Sequence, residues 1–135
     1  MEKVKRMAVS LPSGLLDEFD SAIRRKAYDN RSKAVADVLR GYLSELEIAG
    51  GKGKAVGTIT LVYDHHTRGT VEKLTNVQHA FGGLIASNVH VHINHRMCLE
   101  VIVVKGNVRR IEMLADSLIS TRGVTYGKLV CTSLK

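Results

Sequence analysis

The 135-residue sequence contains little of what several protein classes depend on. It has no Trp, two Phe and four Tyr, so any core must be aliphatic. Two cysteines, Cys98 and Cys131, are too few for the disulfide framework of a small secreted protein. No run approaches the roughly 18 apolar residues of a membrane span, and no signal-peptide stretch opens the chain. These absences predict a cytoplasmic protein, with no membrane partner and with reduced thiols free to bind metal.

Positive charge is what the chain has in excess. The net charge of +7 and the sequence pI of about 9.7 suit a polyanionic partner. Residues 1–50 hold nine basic and eight acidic side chains, whereas residues 51–135 hold eleven and five. The charge is therefore concentrated away from the N-terminus, and only local pattern can identify a DNA-binding segment there.

A Gly-rich stretch divides the sequence into two predicted domains, residues 1–48 and 56–135, joined by a linker over 49–55. In the first domain, Met7, Val9 and Leu11 alternate with polar or small residues as in a strand. Pro12 then precedes two amphipathic helical patterns. Because a lone strand leaves its backbone groups unpaired and about 48 residues bury little surface, we predict an obligate dimer with paired strands.

The second domain has the order β-α-β-β-α-β, typical of the ferredoxin-like split βαβ arrangement. Its predicted strands are Val56–Tyr63, Val89–Ile93, Leu99–Val104 and Val124–Cys131. One helical pattern lies between the first and second strands, and another lies between the third and fourth. This fold hosts many functions, so it does not decide what the protein does.

The N-terminal strand pair indicates a DNA-binding ribbon, because two paired strands fit the major groove. Its outward side chains are Arg6, Ala8 and Ser10. We predict Ser32 as the cap of the second helix, whose N-terminus suits a phosphate. Further phosphate contacts are predicted for four basic residues, Lys3, Lys5, Arg31 and Lys33. The alternative is a plain dimerisation module with a solvated outer face.

The densest cluster of metal-binding residue types lies between Asn88 and Glu100. His90 and His92 are two apart on a strand, so their side chains leave one face roughly 6.5–7 Å apart. A two-residue hairpin loop would put Cys98 on the opposite face. A five-residue loop over residues 93–97 would pair His92 with Cys98 and set His90 opposite Glu100. A metal site predicts the longer loop, with Glu100 orienting an imidazole and Leu99, Val101 and Val103 joining Val91 in the core.

Two imidazoles and one thiolate suit a late first-row divalent ion. A fourth planar ligand would favour Ni(II) or Cu(II), whereas tetrahedral closure would favour Zn(II). His79 is the candidate fourth ligand, because it lies roughly opposite the apolar stripe of its helix and so faces away from its own sheet. His65 and His66 are expected to be solvated, and Cys131 is expected to be a small apolar residue rather than a ligand.

These residues resemble one family, the nickel-responsive NikR transcription regulators. The resemblance runs from about Lys5 to Cys131. It rests on the Arg6–Leu11 ribbon, on Asn30-Arg31-Ser32 and Gln78-His79, and most specifically on His90-Val91-His92-Ile93-Asn94-His95 through Cys98-Leu99-Glu100. It implies an α+β chain with an N-terminal ribbon–helix–helix DNA-binding domain and a C-terminal ferredoxin-like (ACT) domain, assembled as a homotetramer, a dimer of dimers.

The resemblance also implies square-planar Ni(II) held by His90, His92 and Cys98 of one subunit and by His79 of another. Tyr63 and Glu100 would surround those ligands. Such regulators bind operator DNA and repress nickel-uptake genes when nickel is plentiful. Family members often carry Thr on the outward ribbon face, where this chain has Ala8 and Ser10, so no operator sequence is carried over. Lys33 stands where relatives carry an acid, and no accessory cation is carried over either.

Three other functions compete with this interpretation. The first is a regulator of the same architecture that senses another metal or an amino acid. The second is a metal-storage or chaperone protein without a DNA role. The third is a metalloenzyme, which four protein ligands disfavour because they leave no open coordination position. The sequence also lacks a paired general acid and base, so we predict that the protein is not an enzyme.

Overall fold

The computed structural model describes residues 2–134 as two helices followed by a βαββαβ unit. In chain order the elements are α1 (Ser13–Arg25), α2 (Arg31–Ala49), β1 (Lys54–Asp64), α3 (Thr70–Ala80), a 3₁₀ turn (Gly82–Leu84), β2 (Ile85–His92), β3 (Met97–Asn107), α4 (Val108–Ile119) and β4 (Val124–Leu134). The predicted order of helices and strands after the linker is confirmed. No helix in this part of the chain is long and apolar enough to cross a membrane.

The two N-terminal helices form where the apolar stripes predicted them. Pro12 precedes α1, and its carbonyl accepts from the Leu16 amide at 3.2 Å. The cap of α2 differs from the prediction. The side chain of Asn30, not Ser32, accepts from the Lys33 amide at 2.9 Å, so Ser32 lies inside the first turn. Asn and Ser cap comparably well, and helical patterning does not fix a boundary to one residue.

The strand predicted at Met7–Leu11 is not formed within the single chain. Residues 2–12 have no regular secondary structure, and their side chains are exposed. A strand is defined by hydrogen bonds to a neighbouring strand, and the predicted neighbour is a second copy. The paired ribbon therefore remains a prediction.

Contacts divide the chain into two compact units, of which the first ends at Arg40 and the second begins at Gly41. The division falls inside α2, eight residues before the predicted boundary at residue 48. Since α2 extends to Ala49 and β1 starts at Lys54, only residues 50–53 lie between regular elements. Gly51 and Gly53 adopt positive φ angles of 64° and 77° there, which glycine tolerates best.

The four strands form one antiparallel sheet in the order β2-β3-β1-β4. One face carries the core, which is largely aliphatic as predicted but also includes the buried ring of Tyr63. The core comprises residues of β1 and β3 together with residues of α3 and α4: Ala55, Ile59, Leu61, Leu74, Val77, Ile102, Val104, Val108, Ile111, Leu114, Ala115 and Leu118. Cys98 and Glu100 share this face, so the candidate site lies at one end of the core.

Within the second unit's described residues, neither α3 nor α4 covers the opposite face of the sheet, and the prediction that this face joins the core was wrong. Leu99, Val101 and Val103 are only half-buried, and Val91 is 46% exposed. Alternation places Cys98 and Leu99 on opposite faces, but it does not say which face the helices cover. The apolar surface formed by Val89 and Val91 of β2, the following Ile93 and their β3 neighbours is the open sheet face.

Candidate metal centre

The β2–β3 hairpin has the longer of the two predicted registers. His92 pairs with Cys98, and His90 pairs with Glu100. The connection closes with the Ile93 amide donating to the Met97 carbonyl at 2.9 Å. The side chain of Asn94 accepts from the amides of Arg96 and Met97, each at 2.9 Å. These bonds hold the five-residue connection that brings both histidines and the cysteine onto one face, so the prediction of a five-residue loop is confirmed.

Cys98 is fully buried beneath the exposed His92. Its Sγ lies 3.6 Å from His92 Nδ1. Burial raises the pKa of the Cys98 thiol above its usual value, and the negative charges of Glu100 and Asp64 raise it further. A nearby cation would lower this pKa, because its positive charge stabilises the thiolate, which is the form that binds metal.

His90 completes the row along β2. Its ring centroid is 5.1 Å from that of His92 and 6.1 Å from that of Tyr63. Both histidines are exposed, so their nitrogens remain open to an incoming ion. The structure therefore places His90, His92 and Cys98 at one end of the hairpin, but in the described residues His90 is not part of the close donor group around Cys98.

Glu100 is the buried acceptor of a hydrogen-bond network rather than a partner of an imidazole. Its Oε1 accepts from the Tyr63 hydroxyl at 3.2 Å, and its Oε2 accepts from Gln78 Nε2 at 2.8 Å and from Asn88 Nδ2. Within residues 2–134, none of its hydrogen bonds goes to a histidine, which corrects the predicted contact. Burial, followed by the charge of Glu100, raises the pKa of Tyr63, so Tyr63 remains a neutral donor.

His79 lies in the last turn of α3 and is exposed, whereas Leu74 and Val77 of the same helix are buried. Together with His90, Gln78 and Glu100 it lines a cleft of about 220 Å³. It is not part of the donor group around Cys98 in the described chain. Its assignment to the site of another subunit therefore stays a prediction.

His65 was expected to be solvated, and the structure corrects this. It is half-buried, and its Nδ1 lies 3.6 Å from Cys98 Sγ. Strand parity could have found it, because His65 is two residues after the inward-facing Tyr63, which pairs with Cys98. Its neighbour His66 is exposed, as predicted. Cys131 is half-buried on β4, and burial raises the pKa of its thiol.

The predicted DNA contacts are all exposed in the first unit. Lys5, Arg6, Ala8 and Ser10 belong to the segment without secondary structure. Arg31 makes two hydrogen bonds to the Asp20 carboxylate, at 3.0 and 2.7 Å. The ammonium group of Lys33 pairs with Asp37. A phosphate would have to compete with these carboxylates for Arg31 and Lys33.

Comparison with known proteins identifies the family. Residues 56–132 match the family model described as the NikR C-terminal nickel-binding domain. Proteins named "Putative nickel-responsive regulator" are similar over nearly their whole length: 46% identity in Geobacter metallireducens and 47% in Solibacter usitatus, each over 133 residues that cover 98% of this chain and 96% of the relative. The protein of that name from Pyrococcus horikoshii is 44% identical over 128 residues, covering 95% and 93%.

One solved structure, an uncharacterized protein from Thermotoga maritima, shares the fold with a TM-score of 0.53 at 22% identity. The match covers 58% of this chain and 96% of that one. The family model spans more than half of the present chain, and the named relatives align with it over nearly their whole length. The chain therefore belongs to the NikR family, whose C-terminal nickel-binding domain it carries.

Proposed function

We propose that this protein is a cytoplasmic nickel-responsive transcription regulator, which binds operator DNA and represses nickel-uptake genes when Ni(II) occupies its C-terminal domain. The observation that carries the proposal is the hairpin register. It sets His92 opposite Cys98 and His90 beside them, on a domain of a nickel-binding family. Ni(II) would be held by these three side chains and by His79 of another subunit.

The donor chemistry fits this ion. Late first-row divalent ions bind well to imidazole nitrogens and thiolates, whereas Mg²⁺ and Ca²⁺ prefer oxygen ligands. Ni(II) supplies a positive charge that stabilises the Cys98 thiolate. Tyr63 and Glu100 support the site by fixing the strand and helix around it, through Gln78 on α3. Cu(II) is expected to bind at least as tightly, because affinity follows the Irving–Williams order, so selectivity would rest on geometry and metal supply.

Assembly into a homotetramer is supported by the open sheet face. Val89 and Val91 of edge strand β2 and the following Ile93 are each about half exposed, and this surface continues onto the half-buried Leu99 of β3. A contiguous apolar surface of this kind is typical of protein interfaces. We propose that a second copy covers it, because the surface is apolar, and a contact between copies would accompany the proposed sharing of His79 between subunits.

A second interface is proposed at the N-terminus. Met7, Val9 and Leu11 are 70%, 61% and 47% exposed, and Leu39 and Leu43 of α2 are about half exposed. A unit of about 40 residues buries too little apolar surface to be stable alone. We propose that residues 1–48 form a ribbon–helix–helix dimer, joined by the 49–55 linker to the ACT-type domain over 56–135. Arg6, Ala8 and Ser10 would then face the major groove, with Lys5, Arg31, Ser32 and Lys33 towards phosphates.

Nickel would couple to DNA through α3. The ion would be held by ligands of two subunits, one of them His79 on this helix, and would so favour arrangements of the tetramer in which α3 is fixed. It can change DNA affinity only to the extent that it binds those arrangements better than the others. The linked N-terminal dimers would then adopt the spacing that two half-sites require.

The test is selection from a pool of random-sequence DNA duplexes by the full-length protein, with and without Ni(II). We expect a symmetric sequence motif to be enriched only with nickel, and binding of the selected duplex to weaken steeply as salt rises. Arg6→Ala should lose the motif while keeping nickel binding, and Glu2→Gln serves as the control on the same segment. Enrichment of the same motif without nickel, or of none in either arm, would contradict the proposal.

A further inference from the structure

The fully buried Cys98 is flanked by a second imidazole that the nickel site does not use. The Nδ1 atoms of His65 and His92 each lie 3.6 Å from its Sγ, and the three donor atoms all lie within 4.8 Å of one another. A thiol has one proton, so it can donate to only one of these nitrogens. The second contact then needs an imidazole N–H, whereas a shared cation could take the lone pairs of both nitrogens and of the sulfur at once.

The ring of His65 is oriented as a metal ligand requires. Its Nε2 lies 2.5 Å from the His95 carbonyl, which can only accept. In the neutral ring, Nε2 therefore carries the hydrogen and Nδ1 presents its lone pair towards Cys98. The His65 amide donates to the Arg96 carbonyl at 2.9 Å, and Arg96 pairs with Asp64. The hairpin connection thus fixes both the ring and the backbone of His65.

The distances can accommodate a tetrahedral ion. With Zn–S of about 2.3 Å and Zn–N of about 2.0–2.1 Å, a tetrahedral angle separates nitrogen from sulfur by about 3.5–3.6 Å. Both nitrogen–sulfur distances here are 3.6 Å.

We propose that His65, His92 and Cys98 form a second metal site within a single chain, which takes Zn(II) with water as the fourth ligand. The zinc site itself is independent of the proposed function, and only its effect on nickel binding rests on that function. Because the two sites share His92 and Cys98, one ion excludes the other. Zn(II) in this site uses neither His90 nor His79 and joins no subunits. Discrimination against zinc then comes from which ligands the ion takes, not from weaker binding.

The experiment is a pair of competition titrations of the full-length protein, Zn(II) and Ni(II) each against a chromophoric chelator. His65→Ala should weaken zinc binding by at least roughly tenfold, since loss of a supporting residue alone costs about 10–100-fold, and should leave nickel affinity within about threefold. His90→Ala should do the reverse. His66→Ala is the matched control, because its exposed ring stacks on His65 at 4.5 Å without approaching Cys98.

X-ray absorption of the zinc complex gives an independent readout, with one sulfur and two imidazoles expected. His65→Asn replaces His65→Ala if the alanine variant does not fold. Zinc binding that depends on His90 and not on His65 would overturn the inference. Failure of the proposed function has a different signature, namely the absence of nickel-dependent DNA selection, which leaves the zinc titrations unaffected.

Discussion

Replacing Glu100 by Gln keeps the shape of the side chain but removes its charge and one of its two acceptor oxygens. The carboxylate is 5% exposed and accepts from Tyr63, Gln78 and Asn88. An amide has one accepting oxygen and one donating nitrogen. If the oxygen stays with Tyr63, the nitrogen faces the two amide donors, which must turn away.

The expected loss can be bounded from these contacts. A hydrogen bond to an ionised acceptor contributes about 1.5–3 kcal/mol. Gln78 is half-buried and Asn88 is exposed, so both recover bonds to water, and the neutral amide avoids the cost of burying a charge. We therefore expect a net destabilisation at the lower end, about 1.5 kcal/mol. For a unit of this size the melting temperature should fall by about 6–12 °C.

The assay is thermal unfolding of the metal-free protein at one fixed concentration, because assembly makes stability depend on concentration. Glu72→Gln is the matched control, since Glu72 is an exposed carboxylate in the first turn of α3. Glu100→Gln should also need more Ni(II) for DNA binding, because Gln78 anchors α3 one residue before His79. A melting temperature equal to that of both wild type and control would refute the network's role.

Three further predictions follow from the structure. Val91→Lys places a charge on the open sheet face, so light scattering should show a smaller assembly, and an unchanged mass would exclude this face as an interface. Because Cys98 binds as a thiolate and burial raises its pKa, nickel affinity should rise about tenfold per pH unit below that pKa, with one proton released in calorimetry; affinity independent of pH would contradict thiolate ligation. The pKa of Asp64 is lowered, chiefly by the hydrogen bond that its carboxylate accepts from Arg96. This interaction therefore stabilises the fold above the ordinary pKa of 3.8, and the stabilisation is lost as the pH falls through the lower pKa of the folded protein. Arg96→Met should therefore reduce the loss of melting temperature between about pH 5 and pH 2, and an unaltered acid profile would contradict the assignment.

Strand parity predicted the most informative part of the site. The two-residue period places His90 and His92 on one face, and requiring Cys98 to join them selects the five-residue connection that the structure has. The βαββαβ order of strands and helices in the second domain was predicted in the same way, from the spacing of its apolar residues and from its turn residues. These features are local, and local pattern records them directly.

The errors arose where distant parts of the chain meet. Parity could not say which face α3 and α4 cover, so Leu99 and Val101 were assigned to the core when they belong to the open sheet face. His65 was treated as a loop residue, because its approach to Cys98, 33 residues later in the sequence, requires the pairing of β1 with β3 as well as the parity of β1. The N-terminal strand depends on a second chain, which one sequence can only imply.

The central claim is that His90, His92 and Cys98, with His79 of another subunit, bind Ni(II). The most direct measurement is the visible absorption of the full-length protein titrated with Ni(II). We predict a sulfur-to-nickel charge-transfer band that saturates at one ion per chain, disappears in Cys98→Ala and is weakened in His79→Ala. A spectrum without that band, or one that His79→Ala leaves unchanged, would contradict the claim.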